Sequence, residues 1–228
     1  CNAGSYTDHN PDYEVTETLC DGADNDCDDA EDEDLQGPLN PVQLGVCAGS
    51  RQTCDAALGW VDDYPATFGL PETPTGAFLD ENCDGIDGSV TTGIFVVASG
   101  GATSGQCTKD TPCTLTRGLA VVTSSRSEVY LSAGTYAGAF ALPNFAKLFG
   151  GYNAAWVRKS RSEAGHTVTI QGSGQVSGQY IAVQAISVNV ELHDLIVRGA
   201  NVPGGASGYD ANGRGFSSYG LYARSSTV

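Results

Sequence analysis

Cys20-Asp-Gly-Ala-Asp-Asn-Asp-Cys-Asp-Asp-Ala-Glu-Asp-Glu-Asp34 places nine carboxylates and two cysteines ahead of Leu35, with no Lys or Arg among them. At neutral pH such a run repels itself and stays solvated unless something neutralises it. Asp24, Asp26 and Asp28 alternate. In a tightly turned loop that spacing points three carboxylates at one centre, as calcium loops do with their first, third and fifth positions. Asp21 stands at the entrance, and Asp32 and Glu33 fall where later ligands of such a loop would come. A second stretch, Asp80-Glu-Asn-Cys-Asp-Gly-Ile-Asp-Gly88, repeats the alternation, with Gly85 at the sixth position for the sharp turn.

The alternative reading of one such run is a solvated acidic surface loop, which is the lesser of the two. Two copies, each with a cysteine between its ligands (Cys27 and Cys83), favour a metal. The candidate ligands are Asp21, Asp24, Asp26, Asp28, Asp32 and Glu33 in the first copy. In the second they are Asp80, Asn82, Asp84, the Ile86 carbonyl and Asp87. An EF-hand is excluded, because position twelve is Leu35 in one loop and Thr91 in the other instead of Glu. The expectation is Ca²⁺ in disulfide-held loops.

Eight Cys, no Met and 30 Gly in 228 residues describe a secreted or outer-surface protein. Zinc would need Cys and His clustered at short intervals, and the only histidines are His9, His166 and His193. Residues 1–92 carry 21 acidic side chains and one basic, residues 93–228 six acidic and ten basic, so the net −16 is about −20 and +4. This asymmetry places a domain boundary near Gly93. It also argues against nucleic acid as a partner, since the acidic half would repel phosphate. No apolar run approaches the roughly 20 residues of a membrane span. Cys1 raises the question of a lipid anchor, but lipidation would strand one of eight thiols, and a disulfide is favoured. Spacing pairs Cys47 with Cys54 and Cys107 with Cys113; partners for Cys1, Cys20, Cys27 and Cys83 stay open.

Residues 35–79 are broken by Pro and Gly, and Trp60 and Tyr64 are expected to supply what core there is. Burial alone cannot meet their ordering entropy, so metal and disulfides must contribute the difference. The stretches Cys20-Asp-Gly-Ala-Asp-Asn-Asp-Cys-Asp28, Gly45-Val-Cys-Ala-Gly49 and Asp80-Glu-Asn-Cys-Asp-Gly85 resemble the MopE-type metal-binding repeats of bacterial surface proteins, over about residues 1–90. Asp29 departs from the pattern, where that family usually has Gly. The family takes its name from copper, but hard oxygen ligands suit calcium better.

From Ile94 the texture changes to β-branched and aromatic runs. Strands are expected at 94–98, 128–131, 147–149, 167–170, 188–192, 195–197 and 220–223, and a short helix over 112–122 with Leu115, Leu119 and Val122 on one face. Strands recurring every twenty or so residues suit stacked coils. The stretches Val96-Val-Ala-Ser99, Thr111-Pro-Cys-Thr-Leu115, Tyr130-Leu-Ser-Ala-Gly-Thr-Tyr136 and Leu148-Phe-Gly-Gly-Tyr152 resemble right-handed parallel β-helices of the pectin-lyase-like superfamily. That resemblance implies a helix capping the first coil, a turn at Gly134-Thr-Tyr136, and an incomplete last coil at Val228. The expected fold class is therefore mainly β. A small loop-rich domain stabilised by disulfides and metal (1–92) precedes a right-handed parallel β-helix with a short capping helix (93–228).

Many β-helices cleave acidic polysaccharides, so a polysaccharide lyase or hydrolase is the alternative function. His193, Asp194 and Arg198 form the densest polar grouping, but neighbours on a strand face opposite sides. A glycan-binding module is a further alternative, resting on a Gly-rich stretch with Tyr209, Arg214, Phe216 and Tyr219. The favoured reading is a non-catalytic, calcium-stiffened component of the bacterial cell surface acting in adhesion or assembly. Its partners would be a surface protein, a glycan, or a copy of itself at the open β-helix end.

Overall fold

Short β-branched and aromatic runs of the second half become strands, and Gly, Ser and Asn supply the corners between them. The computed structural model describes residues 14–173, 175, 176, 179–200 and 218–228. Two compact units are present. One is Cys1–Leu70 with Asp80–Asp84; the other is Pro71–Leu79 with Gly85–Val228. Residues 71–79 and 85–92, expected to belong with the acidic half, cluster with the strands instead.

The first unit is nearly all loop. Its regular elements among the described residues are a 3-10 turn at Gly45–Cys47 and an antiparallel hairpin of β1 (Thr53–Asp55) and β2 (Gly59–Val61). Cys54 sits opposite Trp60 on that ladder. The bridges are Cys20–Cys54 and Cys47–Cys83, and not the expected Cys47–Cys54. The cause is local. Val46 N–H donates to the Asp80 carbonyl at 3.0 Å, which seats the 3-10 turn against residues 80–84 and brings Cys47 to Cys83. Gly45 permits this approach: it has φ +51°, and a Cβ there would lie 2.1 Å from the Asp80 oxygen. Cys27 is also disulfide-bonded, whereas Cys1 lies outside the described residues.

In the second unit the elements run β3 (Ile94–Val96), α1 (Leu115–Ala120), β4 (Glu128–Ser132), β5 (Gly134–Gly138), β6 (Phe140–Ala141), β7 (Lys147–Tyr152), β8 (Val168–Gly172), β9 (Gln175–Val176), β10 (Gln179–Ile186), β11 (Glu191–His193), β12 (Ile196–Arg198) and β13 (Ser218–Arg224). Three parallel sheets result: β11-β7-β4-β3, β12-β8-β5 and β13-β10-β6. The triples β4/β5/β6, β7/β8/β10 and β11/β12/β13 each add one strand to each sheet. The protein is mainly β, with parallel sheets and disulfides.

One apolar core is shared by all three sheets. Ile94, Val96, Val129, Leu131 and Leu148 meet Val168 and Ile170 of β8 and Ala182, Val183 and Ala185 of β10. Strand alternation sends the intervening residues to the other face of the first sheet, where Phe95, Tyr130, Phe149 and Tyr152 pack with Ile86 and Trp156. That sheet is therefore covered on both faces, as parallel sheets generally are.

The helix is shorter than expected. Thr114 caps it, accepting the Arg117 N–H at 3.3 Å, while Leu115 and Leu119 are buried against the core. The Cys107–Cys113 bridge forms as expected. Gly134-Thr-Tyr136 is a strand, not a turn; the Tyr136 hydroxyl is buried and donates to the Val96 and Ser132 carbonyls at 3.0 and 2.9 Å. Burial pushes that hydroxyl's pKa well above its ordinary value. Strand β10, the longest, falls where no strand was expected.

Candidate metal centre

Each acidic loop turns by the same device. The Asp28 N–H donates to Asp24 Oδ1 at 3.1 Å, and the Asp84 N–H donates to Asp80 Oδ1 at 3.1 Å. Cys27 and Cys83 both take positive φ, +66° and +62°, and the residues two further on, Asp29 and Gly85, take +76° and +98°. Asp29 thus adopts the left-handed conformation that its counterpart reaches as glycine. The repeat is conformational as well as sequential.

In the first loop, Asp21 and Asp32 brace the turn. Asp32 accepts the Asp21 and Gly22 N–H groups at 3.0 and 2.9 Å, and Asp21 Oδ1 accepts the Ala23 N–H and the Asn25 side-chain amide at 3.0 and 3.2 Å. Five carboxylates gather into two trios whose oxygens lie within 4.8 Å of one another: Glu17, Asp24 and Asp26, then Asp26, Asp28 and Glu33. A third group holds Asp32 with Cys20 and Cys54. Those two sulfurs form a disulfide and are not available as thiolates.

Glu17 is a candidate ligand that the sequence did not disclose. It lies seven residues before Asp24, outside the alternation, and is only 4 % exposed. Its Oε1 accepts the Asn25 N–H at 2.5 Å, which ties it to the loop. Among the described residues, the buried side-chain polar atoms without a hydrogen-bond partner are Glu17 Oε2, Asp26 Oδ1 and Glu33 Oε2. All three belong to these trios. Buried polar atoms are otherwise paired almost without exception, and an orphaned carboxylate oxygen costs more than a neutral group. At Glu33 a backbone hydrogen bond lowers the pKa. Desolvation and the charges of Asp28, Glu17 and Asp26 outweigh it and hold that carboxyl above its ordinary range.

The donor set fits a hard cation. It is all oxygen, and oxygens facing each other across a Ca²⁺ at 2.3–2.6 Å stand about 4.6–5.2 Å apart. Among the described residues, no thiolate or imidazole joins these two trios to favour copper or zinc. In the second loop, the Asp84 N–H also reaches Asn82 Oδ1 at 2.9 Å, and Asn82 Nδ2 lies 3.4 Å from Asp84 Oδ2. Asp87 is engaged otherwise: in the second unit its Oδ2 meets Arg158 Nη1 at 2.8 Å and its Oδ1 accepts the Thr75 N–H at 3.3 Å. Ile86 is buried in the aromatic cluster of that unit.

Two of the polar groups weighed for catalysis, Asp194 and His193, are engaged in the fold. Asp194 pairs with the buried Arg158. His193 stacks on Phe149 at 4.7 Å and meets Glu191 at 3.0 Å. Hydrogen bonds from Lys147 and then His193 hold the Glu191 carboxyl below its usual range. Tyr219 lies on β13, 5.5 Å from Tyr222 ring to ring, and Tyr209, Arg214 and Phe216 lie outside the described residues. No helix among the described residues is long and apolar enough to cross a membrane. Comparison with protein-family models, curated proteins and solved structures finds no match for this chain.

Proposed function

We propose that this protein is a calcium-binding structural component of the extracellular bacterial surface, acting in adhesion or assembly without catalysis. One observation carries the reading: all the orphaned buried side-chain polar atoms among the described residues are carboxylate oxygens of two adjoining trios. Such atoms are stable where a cation completes them. The disulfides support an oxidising compartment, and the repeated loop geometry supports kinship with MopE-type repeats. The second unit is read here as a right-handed parallel β-helix. The support is that successive strand triples each add one member to three parallel sheets around one core. Such a body presents long faces to a surface protein, a glycan or a copy of itself.

The test is metal content and stability on the disulfide-intact chain. After dialysis against calcium the protein should retain at least one equivalent. Chelation should lower the unfolding temperature reported by Trp60, in the first unit, and leave the second unit's transition in place. Retention of no calcium, or stoichiometric copper or zinc taken in preference to it, would refute the reading. So would turnover of pectate, alginate or a similar uronate polymer.

A further inference from the structure

We infer that the first loop is a two-cation centre, in which the Asp26 carboxylate bridges an inner ion held with Glu17 and Asp24 to an outer ion held with Asp28 and Glu33. This rests on the calcium reading above and adds the number and order of ions. Asp26 belongs to both trios, and each trio's oxygens fit within 4.8 Å, the span of one calcium shell. The feature that lifts the site above an acidic cluster is Glu17, which is 4 % exposed and whose Oε2 is unpartnered within its trio. The outer trio has its own orphan, Glu33 Oε2, and the shared residue a third, Asp26 Oδ1. A single inner ion would leave Glu33 unsatisfied, and a single outer ion would leave Glu17 so.

Charge agrees. The five carboxylates carry a formal −5, from Glu17, Asp24, Asp26, Asp28 and Glu33. One divalent ion leaves −3 in a part-buried cluster, while two leave −1. The two sites differ in access, since Glu17 is buried and Asp28 exposed. The inner ion is therefore structural and tightly held. The outer ion shares a ligand already committed, binds more weakly, and exchanges with calcium in the medium.

Calcium titration calorimetry on the chelator-stripped chain, with bound ions counted by native mass spectrometry, tests this. Glu17→Gln should remove the tight ion, Glu33→Gln should remove only a weak one, and Asp26→Asn should weaken both by more than about tenfold. Peptide mapping of Cys20–Cys54 checks that each variant folds. A second measurement needs no variant: mixed Tb³⁺ and Eu³⁺ loading should give energy transfer within the loop, retained in Asp84→Asn. Loss of one and the same ion in the Glu17 and Glu33 variants would overturn the inference, as would an Asp26 variant that affects one ion alone, or absence of transfer. Calcium bound with single-ion behaviour sinks only this inference. No calcium bound at all sinks the proposed function with it.

Discussion

Replacing Arg158 by Ala should destabilise the second unit by about 4 kcal/mol. The guanidinium side chain is 1 % exposed and lies between Asp87, 3 % exposed, and Asp194, 28 % exposed. It also donates from Nε to the Gly150 carbonyl at 3.1 Å and from Nη1 to the Thr75 carbonyl at 2.6 Å. Its charge lies over the rings of Phe78, Phe149 and Tyr152 at 4.9, 5.6 and 5.8 Å. Truncation removes the counter-charge of a carboxylate that stays buried, a change that costs roughly 3–5 kcal/mol. Asp194 is hydrated enough to lose little, so Asp194→Asn should cost about 1 kcal/mol or less. Asp87→Asn should fall between these. The double variant Arg158→Met with Asp87→Asn should recover much of the loss, because it leaves no stranded charge. Urea unfolding followed at Trp156, which packs edge-on to Phe95 at 4.8 Å, reads this unit in a Trp60→Phe background. A cost below about 1 kcal/mol for Arg158→Ala, or an Asp194 variant as costly as the Asp87 one, would refute the reasoning.

Asp29→Gly should stabilise the first loop by about 0.5 kcal/mol, since Asp29 holds φ +76° and lies in neither trio. Native-state hydrogen exchange over residues 20–34 measures it, with Asp29→Asn as the control for charge; equal or lower protection in the glycine variant would count against it. Removing Cys47–Cys83 by paired alanine substitution should cost about 4 kcal/mol in the chain-entropy estimate for its sequence separation of 36. Loss of under about 1 kcal/mol, or peptide mapping that finds Cys47 joined to Cys54, would contradict the arrangement.

The alternation in both acidic loops was legible in the sequence, but the structure divides Asp24 and Asp28 between two trios that share Asp26, where the spacing implied one centre. The place of Glu17 beside that loop was not legible, since a residue outside the turn leaves no periodic trace; its only signal is an acid shortly before Cys20. Spacing alone paired Cys47 with its near neighbour Cys54. The carbonyl of Asp80 seats Cys47 elsewhere, and no local rule anticipates that contact. The strands of the first sheet were plain because their β-branched and aromatic residues serve two buried faces. β10 was hidden because its Gln and Ala dilute the apolar pattern. Gly134 suggested a turn, yet at φ +145° it opens an extended strand beside Ala98.

Among the described residues of the first unit, the apolar side chains that are fully buried are two half-cystines, Cys47 and Cys83. The heat capacity of unfolding comes chiefly from apolar surface newly exposed to water. For this unit the increment is therefore small, and its stability curve is flat where that of the aromatic-rich second unit is domed. Cooling weakens hydrophobic packing but leaves this first unit nearly untouched. The temperature at which such a unit is handled therefore matters less to its folding than the bridges Cys20–Cys54 and Cys47–Cys83 that hold it.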